Sequence, residues 1–131
     1  MRSHIAAFAV AFAFAFAAHA APARADQLVM FQLKGCPFCR AWDTEIGRSY
    51  AKTDEAKRLP LRRVDVLAAR PQDLRSIAKV RYTPTFIVTH CGREFRRIEG
   101  YGGQEQFWSL LDSALGALDE AIAARPGACP T

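Results

Sequence analysis

Beyond residue 26, short apolar runs alternate with stretches in which apolar residues recur at helical spacing. A continuous apolar run indicates a strand that is covered on both faces, and a spacing of three and four indicates an amphipathic helix. The pattern predicts four strands, at 28–33, 61–67, 86–89 and 93–99. It predicts helices from Cys36 to about residue 47 or 50, from Thr53 to about 59, in a short stretch beginning at Pro71, and at 104–123.

This order of elements predicts an α/β domain. Strands alternate with helices and a hairpin then closes the sheet, which gives a central mixed sheet with helices on both faces. Cys91-Gly92 is typical of the hairpin turn. Phe95 and Ile98 are three positions apart, so we expect a bulge or a change of covered face in the second hairpin strand. The apolar stripe of the last helix is Phe107, Leu111, Ala114, Leu115, Leu118 and Ile122.

Residues 1–25 have the form of a secretory signal peptide. A short basic start precedes an unbroken Ala/Phe/Val run at 5–18, and sites of small residues follow at 18–20 and 23–25. We expect cleavage before Asp26, which leaves a domain at 26–124 and a C-terminal tail at 125–131. The alternative is an uncleaved membrane anchor, although the run is shorter than the ~20 apolar residues of a spanning helix.

The amount and distribution of charge bear on which partners the protein can bind. The full chain has a formal net charge of +5, with 18 Lys and Arg against 13 Asp and Glu, and two of the arginines belong to the predicted signal peptide. The remaining excess is scattered and shows no basic run with interleaved aromatic residues, so nucleic-acid binding is not expected. A mildly basic face can still attract an acidic protein partner.

The chemistry centres on Cys36-Pro37-Phe38-Cys39, at the junction of the first strand and the first helix. Unpaired amides and the positive end of the helix dipole stabilise an anion at a helix N-terminus, and a thiolate is such an anion. We therefore expect Cys36 to attack a partner disulfide as the nucleophile. Cys39 is the resolving thiol, which displaces the partner and closes a Cys36–Cys39 bond.

Other interpretations of the cysteines stay open. The pair could be a static disulfide of an exported protein, or it could bind a metal, for which only His90-Cys91 offers further ligands. Cys91 and Cys129 could bond to each other and pin the tail, or either could be a free thiol.

The chain resembles the thioredoxin superfamily over residues 28–118. The resemblance depends on Cys36 and Cys39, on Val64-Asp65, on the run 80–86 with Thr83-Pro84-Thr85, on the Gly92 turn, on Gly100 and on the final helix. It is similar in particular to exported thioredoxin-like proteins of the bacterial sulfur-oxidation system, of the SoxS type. The features that suggest this are the size, the signal peptide, and the stretches 61–65, 83–86, 98–101 and 107–108.

The resemblance implies a periplasmic thiol reductant that uses no cofactor. Its substrates would bind beside the cysteine pair. The residue matching Pro84 is cis in thioredoxins, and the Thr83 backbone would pair with an extended substrate segment. Phe38 and Tyr82 are expected to form an apolar docking rim, although Tyr82 could equally be part of the core. In the SoxS type, the partner is the carrier cysteine of the sulfur-oxidising complex.

The resemblance leaves the direction of electron flow open. A reductant in an oxidising compartment needs a membrane thiol reductase as electron donor, whereas a general periplasmic disulfide oxidase or isomerase would run the cycle in reverse. The expected oligomeric state is a monomer. One departure is notable: Met30 stands where cytoplasmic thioredoxins carry a buried Asp, and Met30 cannot accept a proton from Cys39.

Overall fold

The computed structural model describes residues 25–127 and Cys129. The signal peptide predicted for residues 1–25 lies outside this part of the chain, except for Ala25.

The strands and helices follow the predicted order. The strands are β1 (Gln27–Gln32), β2 (Leu61–Asp65), β3 (Thr85–His90) and β4 (Arg93–Glu99). The helices are α1 (Pro37–Trp42), α2 (Arg48–Tyr50), α3 (Asp54–Arg58) and α4 (Gln104–Ala124), and a π-helical turn, Asp43–Gly47, joins α1 to α2. We call the continuous helical segment at 37–50 the CxxC helix.

The sheet is mixed and has the strand order β2-β1-β3-β4. β1 is parallel to β2 and antiparallel to β3, and β3 and β4 form an antiparallel hairpin. The central position of β1 explains its continuous apolar run, because its side chains are covered on both faces. The four residues from Leu28 to Phe31 are at most 1% exposed.

The CxxC helix and α4 pack on one face of the sheet. Trp42, Phe86 and Phe107 form the centre of this packing, with ring centroids 4.9–5.6 Å apart. Trp42 is a core residue, since its side chain is fully buried. Four further positions of the predicted α4 stripe are also buried, namely Leu111, Ala114, Leu115 and Leu118, whereas Ile122 is 38% exposed.

The opposite face is covered by a segment that differs from its prediction. The stretch after Pro71 forms only a 3-10 turn, Gln72–Leu74, rather than a short α-helix. Leu74 and Ile77 are buried against the sheet. The helix does not continue because side chains take up its backbone groups: Arg97 binds the carbonyls of residues 78 and 79, and Glu94 accepts the amide of residue 78.

The hairpin agrees with the sequence pattern. Cys91 and Gly92 both have positive φ angles, 53° and 73°. This is the backbone of a two-residue hairpin turn whose twist matches that of the strands, and glycine adopts it without steric cost. The β3–β4 register shifts at Phe95, so the predicted bulge is confirmed.

The hairpin also carries a cross-link. Cys91 forms a disulfide with Cys129, which ties the tail to the tip of the hairpin. Of the two alternatives that the sequence left open, the structure shows the paired one. Each helix of the described residues is too short or too polar to span a membrane.

Neighbouring leucines of α4 allow a matched test of this packing. Leu111 is fully buried and Leu110 is 43% exposed. We expect Leu111→Ala to lower the free energy of unfolding by about 3 kcal/mol, because it removes buried methyl groups and leaves a cavity. Leu110→Ala should change it by less than about 0.5 kcal/mol. Chemical denaturation with the Cys91–Cys129 disulfide intact measures both values, and equal losses would contradict the packing.

Candidate active site

Cys36 immediately precedes α1 and caps it with its own side chain. Its backbone is extended, with φ −66° and ψ 116°, and Pro37 follows at the start of the helix, where a missing N–H costs no hydrogen bond. The Cys36 Sγ accepts a hydrogen bond from the backbone N–H of Cys39 at 3.2 Å. The strand-to-helix junction therefore aims backbone donors at this sulfur, as the sequence predicts.

Thr83 contacts the same sulfur from the other side. The Sγ of Cys36 donates to the Thr83 carbonyl oxygen at 3.3 Å, across 47 positions of sequence. The Thr83–Pro84 peptide is cis. Pro84 is buried and its carbonyl accepts the Gly100 amide at 2.7 Å, while the Thr85 hydroxyl donates to the carbonyl of Tyr82. These bonds anchor the loop that lies against Cys36.

The environment separates the pKa values of the two thiols. Burial acts to raise the pKa of Cys36, but hydrogen bonds from the Cys39 thiol, the Thr83 side chain and the amides of Cys39 and Phe38 outweigh it and lower this pKa. Burial raises the pKa of Cys39 to about 11, and the hydrogen bond and charge of Cys36 act in the same direction. Cys36 is thus the sulfur that ionises first.

Both thiols are present in the free form and largely covered. Cys36 is 7% exposed and Cys39 is 5% exposed. Both side chains nevertheless line a surface cavity of about 230 Å³, so neither is sealed inside the core. We call this the thiol cavity; its walls are Gln32, Leu33, Lys34, Gly35, Cys36, Cys39, Arg40, Asp43 and Asp65.

A groove with exposed aromatic side chains adjoins Cys36 through Thr83. It has a volume of about 490 Å³ and is lined by Phe38, Tyr82, Thr83, Glu99, Gly100 and Tyr101. Phe38 is 58% exposed and Tyr82 is 60% exposed, so neither is a core residue. Three of the predicted site residues thus line the groove, Cys36 contacts one of them, Thr83, and the neighbouring Pro84 is buried.

Sequence reasoning missed three residues of this groove, namely Glu99, Gly100 and Tyr101. The Tyr101 hydroxyl donates to the Glu45 carboxylate of the CxxC helix, which ties the β4–α4 loop to that helix. Burial and this carboxylate raise the pKa of Tyr101. The available signal was the glycine-rich break that directly follows β4, because antiparallel pairing brings the end of β4 to the start of β3, where the Thr-Pro-Thr run lies.

Arg63 of β2 is paired with Met30 of β1 in the sheet register. Its guanidinium donates to the Gln32 Oε1 at 2.8 Å and to the Asp43 Oδ1 at 2.6 Å, and it lies 3.6 Å from the Met30 sulfur. It also lies over the Trp42 ring at 5.6 Å. Neither Arg63 nor Asp43 is marked as a site residue by the sequence pattern.

Potential metal ligands are scattered. Within residues 25–127 and at Cys129, no three His, Cys, Asp or Glu side chains gather into a group that could hold a metal ion. His90 and Cys91 lie at the far end of β3 from Thr85, and the sulfur of Cys91 belongs to the disulfide with Cys129.

Comparison with known proteins places the chain in a family. The model of the thioredoxin-like domain matches residues 15–115, a range that begins inside the predicted signal peptide. A search of curated protein sequences gave no match. The chain therefore belongs to the thioredoxin-like family, and this membership supports a thiol redox function in general terms.

Solved structures give two further similarities. The reduced form of the periplasmic thioredoxin SoxS from Paracoccus pantotrophus is 36% identical, with a TM-score of 0.66 over 70% of this chain and 96% of that one. The thioredoxin Mala s 13 of Malassezia sympodialis is 18% identical, with a TM-score of 0.51 over 68% of this chain and 74% of that one. The second similarity concerns the fold alone, whereas the first agrees with the SoxS-type resemblance.

The lowered pKa of Cys36 can be measured by alkylation. The rate of reaction with iodoacetamide should rise with pH through a midpoint below 9.0, the ordinary value for a thiol, because the thiolate is the reacting form. Cys39→Ala removes one donor to this thiolate and should move the midpoint upward. A wild-type midpoint at or above 9.0 would contradict the hydrogen-bonding account.

Proposed function

We propose that this chain is an exported thiol–disulfide oxidoreductase that reduces a cysteine of a partner protein in the periplasm. Residues 1–25 would act as a signal peptide and be cleaved before Asp26, leaving the domain at 26–124 and the tail at 125–131. The partner class is a protein with a disulfide or a modified cysteine, such as the carrier subunit of a sulfur-oxidation complex. The 36% identity to the periplasmic thioredoxin SoxS supports the thiol redox role and the periplasmic setting of this proposal.

One observation carries the proposal. The Cys36 sulfur lies between the amide of Cys39 and the carbonyl of Thr83, next to a groove with two exposed aromatic side chains. The first contact stabilises a thiolate, and the groove offers a surface on which another protein can dock. A static structural disulfide needs neither feature.

In the proposed cycle Cys36 is the nucleophile and Cys39 is the resolving thiol. The Cys36 thiolate attacks the partner disulfide, and a mixed disulfide forms between Cys36 and the partner. Cys39 then attacks the Cys36 sulfur and releases the partner thiol. The order follows the separation of the two pKa values, because the pKa of Cys36 is lowered whereas that of Cys39 is raised to about 11.

The groove would bind the partner through its main chain. An extended segment can lie along the Thr83-Pro84 loop and exchange hydrogen bonds with the Thr83 backbone, as a strand added to a sheet does. Phe38 and Tyr82 would form the apolar rim on either side. This mode tolerates varied side chains, so the partner is selected by the accessibility and chemistry of its cysteine.

The proposed reductant works as a monomer and binds no cofactor. Its electrons would come from a membrane thiol reductase, because each cycle leaves Cys36 and Cys39 oxidised in a compartment without a reducing thiol pool.

A second candidate function is a general periplasmic disulfide oxidase or isomerase. The observation that favours it is the set of hydrogen bonds that stabilise the Cys36 thiolate. Stabilising the reduced pair makes the disulfide more oxidising. The two candidates therefore differ in redox potential, and the middle residues Pro37 and Phe38 are part of what sets it.

A redox titration separates the two candidates. We expect the Cys36–Cys39 couple to equilibrate near about −270 mV, the value typical of thioredoxin, and an oxidase would lie near about −120 mV. The measurement follows the thiol content of the pair against glutathione or dithiothreitol buffers. The Cys91–Cys129 bond can be removed by a double Ser variant, so that only the proposed redox pair titrates.

Trapping identifies the partner. In Cys39→Ser the resolving thiol is absent, so mixed disulfides on Cys36 should persist in periplasmic extracts and can be named by mass spectrometry. Cys36→Ser is the matched control and should trap little. Equal capture by both variants would argue against Cys36 as the attacking thiol.

A further inference from the structure

The resolving step of the proposed function needs a group that takes the proton of Cys39. The S–H bond of Cys39 breaks, and the sulfur electron pair forms a bond to the Cys36 Sγ. The bond between Cys36 and the partner breaks in turn, and the partner sulfur leaves as a thiolate. Over the whole cycle Cys36 and Cys39 lose two electrons, and the two sulfurs of the partner disulfide gain them. Met30, which is fully buried on β1, has no group that accepts the proton.

Charged side chains reach the thiol cavity from three elements. Lys34 comes from the β1–α1 loop, Arg40 and Asp43 from the CxxC helix, and Asp65 from the end of β2. The two carboxylates are the candidates for accepting a proton, because Lys and Arg are cationic donors at neutral pH.

Asp65 is already used by the turn that follows β2. Its Oδ1 accepts the backbone amide of Leu67 at 2.8 Å, and the residue is exposed. This short-range bond is the usual way in which an Asp side chain stabilises a turn. Its position is thus explained by local structure.

Asp43 lies one helical turn after Cys39, and residues four apart are neighbours on a helix surface. Its Oδ1 accepts from Arg63, whereas its Oδ2 accepts no hydrogen bond from the part of the chain that the structure describes. Both Asp43 and Cys39 line the thiol cavity. One carboxylate oxygen is therefore held and the other makes no such bond, in a residue that lines the same cavity as the thiol that must lose a proton.

The chain around Asp43 is shaped to accommodate this carboxylate. Asp43 begins the π-helical turn, a local widening that often occurs at functional sites. Gly47 lies at the end of that turn, and a Cβ atom there would approach the Asp43 Oδ1 to 2.7 Å and the Trp42 ring to 2.9 Å. The absence of a side chain at residue 47 leaves the space that the carboxylate occupies.

Arg63 fixes the orientation of Asp43 from the neighbouring strand. Its guanidinium is held by Gln32 at 2.8 Å and rests over the Trp42 ring, so it presents a donor to Asp43 from a defined direction. The pair is 37% and 42% exposed, which leaves the carboxylate in contact with solvent at the cavity.

We propose that Asp43 accepts the proton of Cys39 through a water molecule in the thiol cavity, and that Arg63 is a positioning residue for this carboxylate. The inference rests on the proposed function, since it concerns the second half of the exchange cycle. It supplies a proton acceptor in a chain whose buried strand residue, Met30, cannot accept a proton.

The test uses an aromatic disulfide reagent, 5,5′-dithiobis(2-nitrobenzoate), with the reduced protein in a stopped-flow instrument. The first nitrothiolate is released when Cys36 attacks, and the second when Cys39 resolves the mixed disulfide. Because this leaving group stays ionised at neutral pH, the Cys39 proton must go elsewhere. Cys39→Ser should show the first release alone, which assigns the two phases.

We expect Asp43→Asn to slow the second phase by about 100-fold, the lower end of what a positioned base contributes, and to leave the first within about twofold. The Asn side chain keeps an oxygen for Arg63. In Asp43→Ala, added formate should restore part of the second phase, an effect that a structural role would not produce. Arg63→Gln should slow the second phase less than Asp43→Asn.

Asp65→Asn is the matched control, because it removes the other cavity carboxylate and keeps an acceptor for the Leu67 amide. Its second phase should match the wild type. The proposal is overturned if Asp43→Asn leaves the second phase unchanged or slows both phases alike. It is also overturned if Asp65→Asn slows the second phase as much as Asp43→Asn does. Absence of both phases in the wild-type protein would instead refute the proposed oxidoreductase function.

Discussion

The hydrogen bond from the Cys39 amide to the Cys36 sulfur is the interaction on which the site depends. It exists only because the chain leaves β1 and enters a helix within a few residues, so that the first helical amides point at a side chain that caps them. Burial of the sulfur would by itself favour the neutral thiol. The hydrogen bonds around Cys36 outweigh this effect and lower its pKa, and the chemistry of the pair follows from that lowering.

The two sulfurs face different surroundings although they are three residues apart. Cys36 contacts the Thr83 loop, beside the groove with its exposed aromatic rings, and we assign partner binding to this side. Cys39 has its pKa raised by burial, and the thiol cavity beside it contains the carboxylates of Asp43 and Asp65. In the proposed cycle one side receives the partner and the other removes a proton. The same helix turn supplies both thiols to these two environments.

Sequence pattern was most informative where local rules dominate. The strand-to-helix junction at Cys36, the Thr53 cap of α3, the turn at Gly92 and the bulge at Phe95 each depend on residues within a few positions of one another. The stretch after Pro71 was the exception. Arg97 and Glu94, from a strand far along the chain, bind its backbone groups and replace the helical bonds that the pattern predicts.

The sequence by itself determined the order of elements, the covered strand β1, the family resemblance and the placement of Cys36 and Cys39 at a helix start. The tertiary structure decided which distant residues surround the pair. Thr83 contacts Cys36, Tyr101 of the groove binds the CxxC helix, and Arg63 binds Asp43 at the thiol cavity. The tertiary structure also decided that Cys91 pairs with Cys129. The reason is physical, because periodicity and capping act within a turn or a strand, whereas these contacts join side chains brought together only by the packed sheet.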